Sequence, residues 1–409
     1  MAKPMTKTQL VAALAEEMDT DKKSAGAALD AVCNLITREV SGGGAVTLPG
    51  VGKIYCRERP EREVRNPATG EPLETYETMG ESEVFAKIEA AHAAFLDWRS
   101  KSHDERAPYL RKIAEVLRAN ADRFAELMTR EMGKLIKDGK TEVEICARIF
   151  EYTAERGPKE LADQERQHSG GRKRGIVTFS PIGVIYSVQP WNFPVYQPVR
   201  VLAANLMAGN AVILKHASIC TGSGLLLRDL CLEAGLPKDL FEVILVGHDL
   251  SDKVIEHKLI RAVTMTGSDG AGSHIGALAS KNLKKTVLEL GSNDAYMVLE
   301  DADLDKAVGI CATARLYNNG QTCIAGKRFI VTEKVYDEFV EKYVAKFEAI
   351  KTGDPLADDT DMGPMAREDL RKTLQEQVDE SVEKGAKIAC GGTIPEGPGA
   401  FYPATVLTD

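Results

Sequence analysis

GVIYSVQPWNFP, residues 183–194, is an apolar run that ends in an irregular, proline-bounded turn. Similar runs follow: AVILK (211–215), FEVILV (241–246), RAVTMTG (261–267) and KTVLELG (285–291), each separated from the next by a helix-length segment. Short apolar runs spaced this way predict parallel strands joined by right-handed crossover helices. RKRGIVTFSPIG (172–183) reads as an extra extended piece ahead of this sheet, and residues 83–160 read as helices in which Phe95 and Trp98 pack.

Five places along this pattern carry residues suited to chemistry. Asn192, held between Pro190 and Pro194, presents an amide that can donate to a developing oxyanion; a plain turn asparagine is the alternative. Lys215 ends a strand, where open α/β sheets bind ligands, and a snorkelling surface lysine is the alternative. TGSDGAG (266–272) follows a strand and opens a helix, where glycines admit a phosphate to free N–H groups, although the string is not the GxGxxG fingerprint. Glu289 ends the strand 285–291; in an apolar setting its carboxylate could serve as a general base, and a salt-bridged glutamate is the alternative. Cys323, in GQTC, follows a helical stretch, and a cysteine near a helix start can become nucleophilic, whereas a buried thiol is inert.

The chain has 409 residues, 44% apolar and 28% charged, with a net charge of −9. It can bury a large core, and its overall charge argues against wrapping nucleic acid with its whole surface. The eight cysteines show no CxxC and the seven histidines no HxxxH, which reads as reduced thiols and no metal site. The N-terminus has no secretory h-region and no apolar stretch is long enough to cross a bilayer, so the expectation is a cytoplasmic protein without membrane contact.

PWNFP, Lys215, TGS, LELG and GQTC, in that order, resemble the NAD(P)-dependent aldehyde dehydrogenase superfamily over roughly residues 66–409. KHAS (215–218), ELGSND (289–294) and DMGP (361–364) resemble its succinate-semialdehyde dehydrogenase branch. The resemblance implies an α/β fold: a Rossmann-type parallel-sheet domain at 72–290, with an extended oligomerisation segment near 166–182, and an α/β catalytic domain at 291–409. It implies Cys323 as the nucleophile, forming a thiohemiacetal and then a thioester. It implies Asn192 and the Cys323 N–H as oxyanion donors, and Glu289 as activator of the hydrolytic water. Trp191, Lys215, Ser218, Gly267, Ser268, Gly272 and Leu290 then bind NADP or NAD. Ser218, three residues after Lys215, replaces a glutamate that would repel a 2′-phosphate, so NADP is expected to be accepted. The substrate is expected to be a small aldehyde, succinic semialdehyde above all, and the assembly a homo-oligomer. Relatives continue past the point reached by FYPATVLTD, and the Glu-x-Phe-Gly-Pro grip on the nicotinamide ribose has no counterpart after Cys323, which implies an incomplete catalytic domain with impaired turnover.

Residues 6–40 show two helical periodicities broken at Asp19–Asp21, then Gly42–Gly44 as a stop and short strands around Pro49-Gly50. This stretch, with LPGVGKIYCRERP and the RNPATGE turn, resembles the HU/IHF family of DNA-bending proteins over about residues 5–71. The resemblance implies an incomplete, small α+β HU-like module at 1–71, with Arg57, Arg59, Arg65 and Pro67 as DNA contacts and Pro67 as a minor-groove wedge; a plain turn proline is the alternative. Residues 1–72 hold ten Lys/Arg against ten Asp/Glu, so any DNA binding is expected to be weak and salt-sensitive. NPATGE belongs to both resemblances, which implies a fusion joined there. The competing readings are an HU-like DNA-binding protein with an inactive dehydrogenase passenger, and a non-catalytic cofactor-binding fragment.

Overall fold

The structure, a computed structural model, describes residues 5–41, 45–48, 52–55, 61–166 and 175–409. The chain divides into two compact units, Met1–Pro60 and Glu61–Asp409. In the first, helices α1 (Lys7–Glu17) and α2 (Lys22–Ser41) precede strands β1 (Ala45–Leu48) and β2 (Gly52–Tyr55), which pair antiparallel. Thr6 and Gln9 form a reciprocal cap on α1, and Asp21 accepts the N–H groups of Lys23 and Ser24 at the start of α2. The glycine stop at 42–44, the Pro49-Gly50 turn, Arg57 and Arg59 lie outside the described residues.

The second unit opens with a hairpin of β3 (Glu61–Arg65) and β4 (Pro72–Glu77). Asn66 makes its turn by accepting the Ala68 N–H on Oδ1 at 2.9 Å, and Gly70 takes a φ of 78°, which glycine adopts without strain. Pro67 is buried in this turn and its carbonyl accepts the Ala400 N–H at 2.7 Å. Its burial fits the turn-proline alternative better than an exposed wedge. Arg65 is exposed but occupied: it ion-pairs with Glu63 and donates to the Gly70 carbonyl at 2.9 Å.

Four helices follow: α3 (Glu81–Trp98), α4 (His103–Ala119), α5 (Ala121–Met132) and α6 (Ile136–Glu160). Strands β5 (Gln164–Arg166) and β6 (Gly175–Val177) then form an antiparallel ribbon, so the extended piece ahead of the sheet pairs locally, with residues 172–174 outside the described ones. The chain next alternates through β7 (Val184–Gln189), α7 (Tyr196–Ala208), β8 (Ala211–His216), α8 (Thr221–Glu233), β9 (Phe241–Val243), α9 (His248–Glu256), β10 (Ile260–Thr266), α10 (Asp269–Lys281) and β11 (Lys285–Glu289). These five strands are the five apolar runs of the sequence, and they form one parallel sheet in the order β11-β10-β7-β8-β9. The winding runs outward from β7 to β9, then returns to place β10 on the other side of β7. That reversal puts a topological switch point at the carboxyl end of β7.

The remaining elements are β12 (Ala295–Val298), α11 (Leu304–Leu316), β13 (Arg328–Val331), α12 (Glu333–Glu348), α13 (Glu368–Glu383), β14 (Lys387–Cys390) and β15 (Val406–Thr408). β12 pairs parallel with β13, and β14 antiparallel with β15. They carry a core of their own around Val298, Phe339, Tyr343, Phe347 and Val406. The larger core lies between the sheet and the helices, with Tyr186, Ile213 and Phe241 against Trp98, Phe124 and Phe150. Among the described residues, no helix is long and apolar enough to cross a membrane.

Trp98 anchors the larger core: it is 1% exposed, its Nε1–H donates to the Leu206 carbonyl at 2.9 Å, and its ring meets Tyr109 edge-on at 5.2 Å. Trp98→Ala should lower stability by about 3–5 kcal/mol through the lost packing and the cavity left behind. Trp98→Phe should cost less, about 1–3 kcal/mol, for the unsatisfied Leu206 carbonyl. Urea unfolding of the three proteins checks the order, which reverses or collapses if the indole is not buried.

Candidate active site

The singled-out residues gather at one edge of the sheet. The 190–194 turn follows β7, Lys215 lies near the end of β8, Gly267–Gly272 follow β10, and Glu289 ends β11. Val188 pairs in register with Lys215, and Thr266 with Glu289, so four adjacent strands deliver these groups to one line.

Asn192 is 8% exposed and fixed from the far side of the unit. Its Nδ2 donates to the Gln321 carbonyl at 3.0 Å, and its own carbonyl accepts from Asn318 Nδ2 at 2.8 Å. His216 holds the same turn, with Nε2–H donating to the Pro194 carbonyl at 2.8 Å and Nδ1 accepting the Ala217 N–H at 2.8 Å. Burial pushes the His216 imidazole down to about 4, in keeping with a neutral ring in that donor–acceptor arrangement.

The Cys323 loop depends on residues the sequence reading passed over. Asn318, Asn319 and Gly320 are consecutive left-handed residues, a conformation that asparagine and glycine tolerate best. Asn319 Nδ2 donates to the carbonyls of Gly133 (2.8 Å) and Pro364 (3.1 Å), while its Oδ1 accepts the Gly363 N–H at 2.9 Å. Gln321 Oε1 accepts the Ala366 N–H at 3.0 Å. The DMGP segment thus acts as a brace for the loop. The two asparagines beside a glycine were the available signal.

Cys323 is partly exposed on a turn in which the Ala325 N–H reaches the Thr322 carbonyl. No helix begins there, which corrects the expected helix-start setting: α11 has ended at Leu316 and α12 begins at Glu333. The local cation is Lys327, whose Nζ lies 2.6 Å from the Cys323 carbonyl; Ser292 Oγ donates to the same carbonyl at 2.9 Å and ties the β11 end to the loop. Cys146, Cys220, Cys231 and Cys311 are buried, and burial pushes their thiols up.

The apolar setting anticipated for Glu289 is corrected too. Its side chain is 52% exposed and lies 3.5 Å from Arg200 Nη2. β11 is the edge strand of its sheet, and its neighbours Val287 and Leu288 are also exposed.

At the candidate dinucleotide site, Ser268 caps α10 by accepting the Ala271 N–H. A Cβ on Gly272 would lie 2.4 Å from Leu290 Cδ2, so glycine lets α10 approach the end of β11. Lys215 is pushed down to about 8 by burial and by Arg62, which donates to the Val246 carbonyl, and no carboxylate pairs with Lys215 among the described residues. Ser218 is exposed at the start of a 3-10 turn that ends on the buried Cys220, and the half-buried Trp191 accepts from the Cys220 thiol on its carbonyl. These features suit an anionic dinucleotide: a half-buried lysine without a carboxylate partner among the described residues, a helix start capped by a neutral hydroxyl, and a glycine held close to the strand end.

TREMGK (129–134) was the other missed segment. Glu131 is 2% exposed and takes the N–H groups of Gly222 (2.7 Å) and Ser223 (3.1 Å) and the Ser223 hydroxyl (2.5 Å), capping α8. Burial nonetheless raises its carboxyl to about 7.

Residues 55–409 match the aldehyde dehydrogenase family. The chain belongs to that family. Residues 5–80 match the bacterial DNA-binding protein family, so the two matches overlap across 55–80. A succinate-semialdehyde dehydrogenase [NADP(+)] of Mycobacterium leprae is 43% identical over 345 residues, covering 84% of this chain and 76% of that protein. The Mycobacterium avium protein of the same description is 44% identical, covering 84% and 73%. Among solved structures, succinic semialdehyde dehydrogenase from Streptococcus pyogenes in complex with NADP+ is similar with a TM-score of 0.82 at 36% identity, covering 85% of this chain and 76% of that one. Succinate-semialdehyde dehydrogenase from Burkholderia pseudomallei is similar with a TM-score of 0.83 at 34% identity, covering 89% and 75%. The aldehyde dehydrogenase fold is thus established for this chain by sequence and by structure.

Glu131 supplies a pH test. Its folded value, near 7, lies above the ordinary 4.5, so its stabilising contribution is complete below about pH 4.5 and is lost as pH rises toward 7. The slope is about 1.4 kcal/mol per pH unit at most. Glu131→Gln should remove that slope, so unfolding measured at pH 5 and pH 7 should differ less in the variant. An equal change in both proteins would contradict the assignment.

Proposed function

We propose that this chain oxidises succinic semialdehyde to succinate with NADP, through Cys323, Asn192 and Glu289. The observation carrying this reading is the hydrogen bond from Asn192 to Gln321, which joins the amide turn to the loop bearing Cys323. An amide nitrogen has two hydrogens. One can remain on the Gln321 carbonyl while the other, with the Cys323 N–H, donates to an oxyanion.

In this mechanism the Cys323 thiolate adds to the aldehyde carbon, and the new alkoxide is held by those donors. The bound dinucleotide supplies the hydride acceptor. Glu289, half-exposed with Arg200 beside it, takes a proton from the water that cleaves the thioester and releases the acid. Residues 72–290 serve as the dinucleotide-binding part and 291–409 as the catalytic part, with Trp191, Lys215, Ser218, Gly267, Ser268, Gly272 and Leu290 on the cofactor. The names of the relatives favour succinic semialdehyde and NADP. Ser218 adds to the cofactor argument, because no carboxylate stands there to repel a 2′-phosphate.

The match of residues 5–80 to a DNA-binding family favours a second property, weak DNA contact by the N-terminal unit. Retention on heparin that falls as salt rises would support it. Flow-through at low salt would count against it.

Turnover is measured as NADPH absorbance with succinic semialdehyde. Cys323→Ala should abolish it, and Asn192→Ala should lower kcat by about 10²–10³. Turnover unaffected by Cys323→Ala would overturn the mechanism, as a strong NAD preference would overturn the cofactor assignment. Lys215 adds a pH signature: its cation is present below about pH 8 and fades above it. The KM for NADP should therefore climb above pH 8 while the KM for NAD stays flatter, and parallel curves would contradict a 2′-phosphate contact by Lys215.

A further inference from the structure

Lys134 and Glu142 form an ion pair, 2.8 Å apart and 1% and 2% exposed, beneath the Asn192 turn. Glu142 Oε1 accepts the N–H of Val195 at 2.8 Å and that of Tyr196 at 2.9 Å, capping the first turn of α7. Lys134 Nζ lies 4.1 Å from the centre of the Phe193 ring. The residues one, three and four positions after Asn192 are thus gripped by one buried pair, carried on α6 and on the α5–α6 connection. Asn192 itself is gripped from the opposite side by Asn318 and Gln321.

We infer that Lys134 and Glu142 are positioning residues: they set the height and tilt of the 190–194 turn so that the second N–H of Asn192 faces the oxyanion formed at Cys323. The inference rests on the proposed role of Asn192. A buried pair suits the task because its geometry is narrow. The carboxylate must satisfy two backbone donors and an ammonium together, and the ammonium must keep both the carboxylate and the ring face. An apolar replacement would keep the volume but release the turn from that directional hold.

The chemistry requires reversible addition of a thiolate to a carbonyl, which needs no oxidant. The bond formed is Cys323 Sγ to the aldehyde carbon, and the carbonyl π electrons move onto oxygen. The test therefore follows that addition without cofactor, on the full chain. Iodoacetamide alkylation of Cys323, followed by peptide mass spectrometry, is measured as a function of succinic semialdehyde concentration, and protection reports the thiohemiacetal.

Four proteins besides the wild type are compared. Lys134→Met/Glu142→Gln is a neutral, near-isosteric replacement, and Phe193→Leu leaves the pair intact but removes the ring under the ammonium. Asn192→Ala and its combination with the double variant complete a cycle. Alkylation without aldehyde is expected at the wild-type rate in Lys134→Met/Glu142→Gln and in Phe193→Leu, and protection is read in every protein relative to its own rate without aldehyde. Protection should weaken by about ten- to a hundredfold in Asn192→Ala and by a similar factor in Lys134→Met/Glu142→Gln, with a smaller loss in Phe193→Leu. The combined variant should lose no more than Asn192→Ala alone, because the pair acts through that side chain.

Protection at the wild-type level in both Lys134→Met/Glu142→Gln and Phe193→Leu would overturn the inference. So would losses that multiply in the combined variant, which would mean that the pair acts independently of Asn192. Full protection in Asn192→Ala would instead remove the oxyanion role itself, and absence of protection in the wild type would remove the nucleophile role of Cys323. Failure of the positioning claim is thereby separated from failure of the reading beneath it.

Discussion

The hydrogen bond from Asn192 Nδ2 to the Gln321 carbonyl joins residues 129 positions apart, and the candidate site depends on it. One partner follows the central strand of the parallel sheet; the other stands two residues before Cys323. Without that link, the sheet would offer an edge with nowhere for a nucleophile to meet it. Each end of the link is itself held: Asn318 on the Asn192 carbonyl, His216 on the Pro194 carbonyl, and Asn319 and Gln321 on the 363–366 segment. Polar groups of this kind are costly to bury unpaired, so their mutual satisfaction narrows the arrangements open to the loop.

Helix ends explain why ligand chemistry concentrates where it does. Crossover helices α7, α8 and α10 all begin on the carboxyl side of the sheet, each with unsatisfied N–H groups and a partial positive charge. Glu142 occupies the start of α7 and Glu131 that of α8. The start of α10 has only the neutral Ser268 hydroxyl as its side-chain cap. The starts of α7 and α8 are therefore filled from within the protein by buried carboxylates, whereas α10 begins with the Ser268 hydroxyl and with Asp269 in its first turn. Gly272, pressed on Leu290, holds that helix start close to the strand end.

The five strands were legible because each is a compact apolar run bounded by a turn, and the sheet uses all five. Asn192, Cys323 and Glu289 stood out by their order along the chain, but their surroundings did not. The edge position of β11, which exposes Glu289 and brings Arg200 to it, follows from strand order, which local sequence does not encode. Cys323 has no helix behind it because the left-handed residues at 318–320 turn the chain away after α11. Glu131 and Glu142 look like ordinary surface charges on amphipathic helices, and Lys134 like one on the connection between them. Their burial comes from the partners that residues 193–196 and 222–223 supply, many positions away. Pro67 fitted two patterns, a turn proline and a wedge, and its burial in the β3–β4 turn comes from a partner segment near Ala400 that lies far along the chain.

Strand order also limits what can lie along the edge. From β8, which carries Lys215, to β11, which carries Glu289, the sheet crosses β7 and β10, three strand spacings of about 4.8 Å each, or roughly 14 Å. The half-buried Lys215 stands at one end of that span and the helix start of α10 near the other. A compact mononucleotide reaching Lys215 would stop short of Glu289. A ligand that answers both must be extended and carry negative charge at more than one point. That is the shape of a phosphorylated dinucleotide. Lys215, half-buried and without a carboxylate partner among the described residues, leaves a positive charge at that edge which such a ligand would match.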